Sequence, residues 1–219
     1  MERIVLKDLL PEVFIGIEET SRIRESQVWE VPSFIFHKGC RLCIHSESGG
    51  GKSSLLSFIY GNRDDYKGKI LFDNKNIRGF SVKDWCKIRQ HEIALLPQDM
   101  RLFPELTALE NILLKNQLTN HKTKKEILSL MEELEIAEKK DALVARLSIG
   151  QQQRVAFIRS ICQPFDFIFL DEPVSHLDST NNHLLAQIVN REAQKMNAGI
   201  ISTSVGNHLL LKDSTMIKL

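Results

Sequence analysis

The chain lacks an apolar run long enough to cross a membrane. Its densest apolar segment is Phe167-Ile168-Phe169-Leu170, whereas a membrane-spanning helix needs about 20 such residues. The N-terminus begins with the charged stretch Met1-Glu2-Arg3 and carries no apolar core of signal-peptide length. We therefore expect a protein that is soluble by itself and that can still dock on a membrane protein.

The chain also lacks an excess of charge of either sign. Its 219 residues include 29 lysines and arginines and 28 aspartates and glutamates, for a formal net charge of +1. The two signs are mixed along the chain, without a basic stripe or an acidic tail. This distribution argues against nucleic acid as a partner.

Cysteine is scarce, with four residues at 40, 43, 86 and 162. Cys40 and Cys43 have the spacing of a redox or zinc pair, but no second Cys or His pair with matching spacing lies nearby. Both fall on a predicted strand, where residues three apart point to opposite faces. We interpret them as buried, reduced cysteines of a cytosolic protein.

Hydrophobic patterning predicts an α/β core with a parallel sheet. Early strands, expected to form an antiparallel layer, are predicted at Arg3–Leu6, Ser33–Phe36 and Lys69–Phe72. Amphipathic periodicity predicts helices at 123–135, 151–162 and 180–196. Phe167–Leu170 shows no alternation, which is typical of a parallel strand covered on both faces, and further strands are predicted at Ile200-Ile201 and Met216-Ile217.

Three consecutive glycines followed by lysine and serine form the most informative segment, Ser46–Ser53. It lies between the predicted strand Leu42–Ile44 and a helical pattern from Leu55 onward. Glycines let backbone N–H groups approach an anion, and the helix dipole faces the same anion. We predict a nucleoside-triphosphate site in which Lys52 reaches the terminal phosphates and the Ser53 hydroxyl holds Mg²⁺. Such motifs normally begin with glycine, and here Ser46 takes that place.

Two carboxylates, Asp171 and Glu172, follow the apolar strand directly. Ligands of α/β sheets bind beyond the carboxyl ends of the strands. An aspartate there can hold the ligand shell of Mg²⁺, while the next carboxylate faces an attacking water. Taken alone, such a strand end is also compatible with ordinary solvated carboxylates.

Ser148 begins a third motif, Leu147-Ser148-Ile149-Gly150-Gln151. Serine is a favourable N-cap for the helix that follows. A helix that starts with Ser-x-Gly-Gln is also a candidate second anion site, far in sequence from the first.

In this order the motifs resemble the ATP-binding cassette (ABC) family, and the resemblance runs nearly end to end. Between the phosphate loop and the signature at Leu147–Gln151 lies a Q-loop, Leu96-Pro97-Gln98-Asp99, and a D-loop follows at Ser175-His176-Leu177-Asp178. The resemblance implies that residues 1–219 form a single ATP-binding domain. This domain would have a P-loop NTPase core with a parallel sheet, an N-terminal antiparallel β layer and a helical subdomain at about 99–160.

The resemblance also implies ATP and Mg²⁺ as ligands and a head-to-tail pair of cassettes, identical or paralogous, that sandwiches two ATP molecules. Glu172 would be the general base, and Gln98 would contact the metal or the attacking water. The implied Mg²⁺ ligands are Ser53, Gln98 and Asp171. The implied nucleotide contacts are Ser46, Glu47, Ser48, Gly49, Gly50, Gly51, Lys52, Ser53 and Ser54 and, from the other subunit, Ser148, Gly150 and Gln151.

A separate transmembrane permease is the implied partner, with a coupling helix received in a groove beside Gln98. The cassette would then lie at the cytoplasmic side of the inner membrane as a peripheral subunit. The segment Leu102–Ile112 resembles transporters of the lipoprotein-release and macrolide-efflux type and the cell-division ATPase. The alternative is a nucleotide-gated assembly switch that moves no solute.

Besides Ser46, two positions depart from the family pattern. Ile149 replaces the first glycine of the signature. Ser204 stands where the family places a histidine that contacts the γ-phosphate, and His208 lies one helical turn further on as a poor substitute. We therefore expect slow hydrolysis. The family usually stacks adenine on an aromatic residue well upstream of the phosphate loop, and Phe14, which lies before the polar stretch 18–27, is the candidate here.

Overall fold

A computed structural model describes residues 1–16 and 20–219 and, for Ser21 and Arg22, only the backbone. The strands are β1 (Arg3–Pro11), β2 (Phe34–His37), β3 (Arg41–His45), β4 (Tyr66–Phe72), β5 (Lys75–Asn76), β6 (Ile93–Leu96), β7 (Phe167–Leu170), β8 (Gly199–Ser204) and β9 (Thr215–Lys218). The helices are α1 (Ser21–Arg24), α2 (Lys52–Ile59), α3 (Val82–His91), α4 (Ala108–Asn116), α5 (Lys124–Glu133), α6 (Ile149–Ser160) and α7 (Ser179–Met196).

The parallel sheet has the strand order β6-β7-β8-β3-β9. Every residue of β7 is buried, which confirms the interpretation of its unbroken apolar run. Because the strands are parallel, the carboxyl ends of β3, β6, β7 and β8 meet at one edge of the sheet. The loops that carry the predicted phosphate, Q-loop and carboxylate motifs are therefore brought to the same edge.

The predicted antiparallel layer is also present, with the strand order β2-β1-β4-β5. Ile4 on β1 pairs with Phe36 on one side and with Phe72 on the other. The ring of Phe36 meets that of Phe169 edge-on, at 6.2 Å between centroids. One apolar cluster therefore continues from this layer into the parallel sheet.

Between β6 and β7 the chain forms α4, α5 and α6, within the span predicted for the helical subdomain. Their apolar cluster continues into β7 and α7, so the boundaries at 99 and 160 stay a prediction. Lys122, just before α5, forms a buried ion pair with Glu192 of α7. Helix α3 is not predicted by periodicity because it is largely polar and buries only Ile88.

The four cysteines are free thiols, and two of them differ from the sequence interpretation. Cys43 and Cys162 are buried, whereas Cys40 is half-buried and precedes β3 instead of lying on it, and Cys86 is exposed. Burial raises the pKa of the Cys40 thiol to about 11. Within residues 1–16 and 20–219, no helix is both long and apolar enough to cross a membrane.

Candidate active site

The glycine-rich segment after β3 forms a turn that runs directly into α2. Gly49 and Gly51 adopt left-handed φ angles of 78° and 93°, a region that glycine enters at little cost. Gly51 is the N-cap of α2 and, as a glycine, makes no side-chain capping hydrogen bond. The N–H groups of the first helical turn carry the positive end of the helix dipole, so the turn has the form of an anion-binding cradle.

Lys52 is only 5% exposed, and its ammonium group lies inside this turn. It donates hydrogen bonds to the backbone oxygens of Ser46 and Glu47, at 2.9 and 3.0 Å, and to the Ser46 hydroxyl at 3.2 Å. Ser46, which replaces the usual glycine, thus contributes a hydroxyl that holds Lys52. The Ser54 hydroxyl is engaged as well, because it accepts a hydrogen bond from Arg63 at 2.9 Å.

Trp29 lies beneath the cradle, and none of the sequence motifs predicts it. Its indole N–H donates to the carbonyl oxygen of Gly50 at 3.3 Å, and a Cβ atom on Gly51 would lie 3.0 Å from its ring. The ring of Phe14 meets it edge-on at 6.3 Å between centroids. The one sequence signal is the apolar pair Val28-Trp29 at the end of a polar stretch.

A cavity of about 330 Å³ opens over the cradle. Its lining comprises Pro11, Val13, Phe14, Ser48, Gly49, Gly50, Gly51, Lys52, Ser53, Ser54, Gln98 and Glu172. The fold therefore brings the two predicted catalytic side chains, Gln98 and Glu172, over the phosphate loop. Ser46 and Glu47, predicted as nucleotide contacts, lie outside the lining, and their backbone oxygens accept hydrogen bonds from Lys52.

Phe14 offers little surface for the adenine stacking expected of it. It lines the cavity but is 6% exposed, because its ring packs against Trp29. The neighbouring Val13 is 71% exposed and is the apolar side chain that the cavity wall presents. Phe14 therefore supports the cradle from below.

The carboxylate pair after β7 is held by β8. Asp171 is buried, and its Oδ1 accepts a hydrogen bond from the Thr203 hydroxyl at 2.6 Å. The same hydroxyl accepts from the backbone N–H of Glu172 at 3.0 Å. Thr203 thereby ties the Asp171 side chain and the Glu172 backbone to β8.

Glu172 has a left-handed φ of 49°, a conformation that costs a non-glycine residue about 1–3 kcal/mol and occurs often at functional sites. Gln153 on α6 donates to its carbonyl oxygen at 3.2 Å, and the N–H of Ser175 donates to it at 3.3 Å. These contacts fix the backbone, and the side chain lines the cavity.

The predicted Mg²⁺ ligands fit this ion in chemistry. Magnesium is held in proteins by one or two carboxylates together with waters and the phosphates of the substrate. Ser53 and Gln98, whose side chains carry oxygen atoms, line the cavity, and Asp171 follows β7 at the same sheet edge. The residues that would hold the ion are therefore present, with a single buried carboxylate among them.

Ser148, Gly150 and Gln151 form a second helix start that does not line this cavity. The Ser148 hydroxyl accepts from the Gln151 N–H at 3.3 Å, and the Gln151 amide oxygen accepts from the Ser148 N–H at 3.0 Å. This capping box confirms Ser148 as the N-cap of α6. A Cβ atom on Gly150 would lie 3.2 Å from the carbonyl oxygen of His176, so the D-loop segment packs against this helix start.

Ser204, the last residue of β8, is 2% exposed. Its hydroxyl contacts the Cys43 sulfur on the adjacent strand at 3.6 Å. Neither Ser204 nor His208 lines the cavity over the phosphate loop. The backbone carbonyl oxygen of His208 instead accepts a hydrogen bond from the Asn182 side-chain amide of α7, at 2.9 Å.

A phosphate cradle at the edge of a parallel sheet, with a carboxylate pair at the next strand end, defines the class of P-loop nucleotide-binding domains. The profile of the ABC transporter family matches residues 30–175. The chain belongs to this family, and it is an ATPase subunit of the ABC type.

Several known proteins resemble the chain over most of its length. It is 30% identical to the lipoprotein-releasing system ATP-binding protein LolD of Treponema denticola, over 77% of this chain and 78% of that protein. Identity to the ABC transporter ATP-binding protein YtrE of Bacillus subtilis is 31%, over 80% and 79% of the two chains.

Among solved structures, the dimeric bacterial ABC transporter cassette MJ0796 covers 98% of this chain and 94% of its own, with a TM-score of 0.77 and 23% identity. This likeness confirms the predicted fold of an ABC nucleotide-binding domain.

Proposed function

We propose that this chain works as a head-to-tail pair of cassettes that binds and hydrolyses ATP for a separate membrane transporter. The main support is that the predicted site residues lie in two separate places on one cassette. Gln98 and Glu172 lie over the phosphate loop, whereas Ser148, Gly150 and Gln151 lie outside the same cavity. A second cassette would supply this missing wall with its own copies of those three residues. The dimer described for MJ0796 supports the arrangement.

Within each site, Lys52 and the N–H groups of the cradle hold the phosphates of ATP. Ser53, Gln98 and Asp171 would hold Mg²⁺, which when bound would offset the negative charge of the phosphates. The Glu172 carboxylate accepts the proton of the attacking water, since it is the carboxylate that lines the cavity. Its backbone has a left-handed φ and is hydrogen-bonded to Gln153, Ser175 and Thr203, which sets the place from which the side chain enters the cavity.

We further propose that hydrolysis is slow. Ser204 is buried against Cys43, and no side chain from the end of β8 reaches the cavity among the residues that the structure describes. Loss of one preorganised donor to the transition state costs about 3–4 kcal/mol, or about a hundred- to a thousandfold in rate. If His208 supplied that donor instead, His208→Ala would lower the rate.

We propose a transmembrane permease of the lipoprotein-release type as the partner, with the cassette bound at the cytoplasmic side of the inner membrane. The support is the relative named as the ATP-binding protein of a lipoprotein-releasing system. A groove beside Gln98, lined in part by Pro97 and Phe103, is the proposed docking place. The proposed low turnover also favours a second candidate, a nucleotide-gated switch on a membrane complex that moves no solute.

The experiment for nucleotide chemistry compares the parent with Lys52→Ala and Glu172→Gln. We expect Lys52→Ala to lose Mg-ATP in a binding titration, because the cradle loses its point charge. Glu172→Gln keeps the shape of the side chain and removes the base, so it should bind ATP and accumulate as a dimer in light scattering. Equal hydrolysis rates for Glu172→Gln and the parent would show that another group is the base.

Transport and switching differ in what stimulates hydrolysis. The complex isolated from membranes and placed in lipid vesicles should hydrolyse ATP faster when a lipoprotein substrate is added. An unchanged rate, in a complex that still binds ATP, would favour the switch.

A further inference from the structure

Arg63, on the segment between α2 and β4, reaches a side chain in the wall of the nucleotide cavity. Its Nη1 donates a hydrogen bond to the Ser54 hydroxyl at 2.9 Å. Ser54 lies in the first turn of α2 and lines the cavity, whereas Arg63 does not belong to the described lining. None of the sequence motifs includes Arg63. A cation outside the cavity therefore acts on a polar group inside it.

The guanidinium of Arg63 is held in place from several directions. Its Nε donates to Oδ1 of Asp65 at 2.9 Å and its Nη2 donates to Oδ2, a two-point contact that sets the plane of the group. These hydrogen bonds hold the pKa of the Asp65 carboxyl below its ordinary value. The guanidinium carbon also lies 5.3 Å from the centre of the Phe58 ring. The backbone oxygen of Asp65 accepts from the Glu12 N–H at 3.0 Å, which ties this pair to the chain just before Val13 of the cavity wall.

This contact decides how the Ser54 hydroxyl is used. A hydroxyl has one hydrogen to donate, and a guanidinium can only donate, so the Ser54 oxygen is the acceptor. Among the hydrogen bonds of the described residues, the Ser54 hydroxyl takes part in this one alone. Its hydrogen is therefore left for another acceptor. The backbone N–H of Ser54 also has no acceptor within the helix, because it belongs to the first turn.

We propose that Arg63 is a positioning residue for the nucleotide, which occupies the Ser54 oxygen and so leaves the hydroxyl hydrogen to donate to a phosphate oxygen. The inference rests on the proposed function, because it concerns the same nucleotide. A hydroxyl that accepts from a cation is polarised and becomes a stronger donor. Asp65 holds the guanidinium in place before the nucleotide arrives, so little ordering is needed on binding.

A double-mutant cycle measured by isothermal titration of the full chain with Mg-ATP tests this role. Ser54→Ala loses the donor and should weaken binding about tenfold or more. Arg63→Met leaves the hydroxyl free to turn and should weaken binding about 3- to 10-fold. In the Ser54→Ala background, Arg63→Met should change the affinity by less than about twofold, since Arg63 acts through that hydroxyl.

Arg78→Met is the matched control. Arg78 is a second arginine over an aromatic ring, 4.6 Å from the centre of Tyr66, and it donates to the backbone oxygen of Tyr66 at 2.6 Å. The described hydrogen bonds of Arg78 do not include Ser54. Arg78→Met removes the same charge from the same surface, so it should bind Mg-ATP like the parent.

Steady-state kinetics separates binding from chemistry. Arg63 is not hydrogen-bonded to Gln98 or Glu172 among the described residues. Arg63→Met should therefore raise KM by about the factor found in the titration, while kcat changes by less than about twofold.

Four outcomes would overturn the inference. Parental affinity in Arg63→Met, with or without a lower melting temperature, would show that Arg63 only attaches its segment to α2. An equal loss with and without the Ser54 hydroxyl, or an equal loss in Arg78→Met, would show that the charge acts by another route. These three outcomes leave the proposed function intact, because the parent still binds the nucleotide. If the parent itself does not bind Mg-ATP, the proposed function falls as well.

Discussion

A methyl group added at Gly50 tests how the cradle is built. Gly50 lies outside the left-handed region of φ, so an alanine can adopt its backbone conformation. The obstacle is Ser46, because a Cβ atom at position 50 would lie 2.2 Å from the Ser46 hydroxyl oxygen and 2.8 Å from its Cβ. The hydroxyl can rotate away, but the Ser46 Cβ moves only with the backbone. We therefore expect Gly50→Ala to displace the loop that holds Lys52.

Overpacking of this kind costs about 1–3 kcal/mol. If this cost destabilises the loop conformation that binds the nucleotide, Mg-ATP binding becomes about 5- to 150-fold weaker. Ser46→Gly removes both clashing atoms, whereas Ser46→Ala removes only the nearer one. In the Gly50→Ala background, the affinity for Mg-ATP should therefore be highest with Ser46→Gly, intermediate with Ser46→Ala and lowest with the parental serine.

Isothermal titration with Mg-ATP on the single and double variants measures this order. Ser46→Gly alone sets the reference, because it also loses the 3.2 Å hydrogen bond to Lys52. Thermal unfolding of each variant checks that the fold itself is unaffected. If Gly50→Ala binds like the parent, or if Ser46→Gly fails to restore affinity beside it, steric contact between these positions does not shape the loop.

Three further outcomes are expected. Ser204→His should raise kcat by up to about a hundredfold, with a smaller change in KM, if the added imidazole reaches the γ-phosphate. Steady-state kinetics with the membrane partner present measures both constants, and unchanged constants in a folded variant would refute the proposal that Ser204 limits hydrolysis. Trp29→Phe keeps a ring beneath the cradle but loses the hydrogen bond to the Gly50 carbonyl oxygen, which is worth about 0.5–1.5 kcal/mol and should weaken Mg-ATP binding by about 2- to 12-fold in a titration. Parental affinity would show that Trp29 contributes packing alone. Glu192→Gln leaves the buried Lys122 charge uncompensated and should lower the free energy of unfolding in urea by about 3–5 kcal/mol. Burial raises the pKa of Glu192, but its lysine partners lower it to about 2 from an ordinary 4.5. The contribution of the Glu192 carboxylate to the free energy of unfolding is therefore present above pH 4.5 and lost as the pH falls towards 2. A parent and variant that lose stability equally over that range would contradict this assignment.

Local patterns predicted those parts of the site whose form depends on neighbouring residues in the chain. The glycines before Lys52 dictate a turn that ends in a helix, and Ser148 caps a helix through a residue only three positions away. The apolar run Phe167–Leu170 likewise indicated a strand covered on both faces. In each case the physical cause lies within a few residues, so a single sequence suffices.

Contacts between distant segments could not be predicted in the same way. Trp29 supports Gly50 across 21 positions, and nothing in the polar stretch before it indicates which loop its ring will meet. Phe14 was a candidate for stacking adenine, but its packing against Trp29 turns most of its surface inward. Cys40 was expected on a strand, and the start of β3 one residue later leaves it half-buried.

The sequence by itself indicated nucleotide chemistry, because the glycines, Lys52 and the carboxylate pair are the residue types that such chemistry requires and they occur in its order along the chain. Only the tertiary structure decided which groups share a cavity. The parallel sheet brings Gln98 and Glu172 over the cradle while Ser148 stays outside it. It also directs the Ser204 hydroxyl to Cys43, since side-chain direction at a strand end follows from strand pairing and packing, which no local pattern encodes.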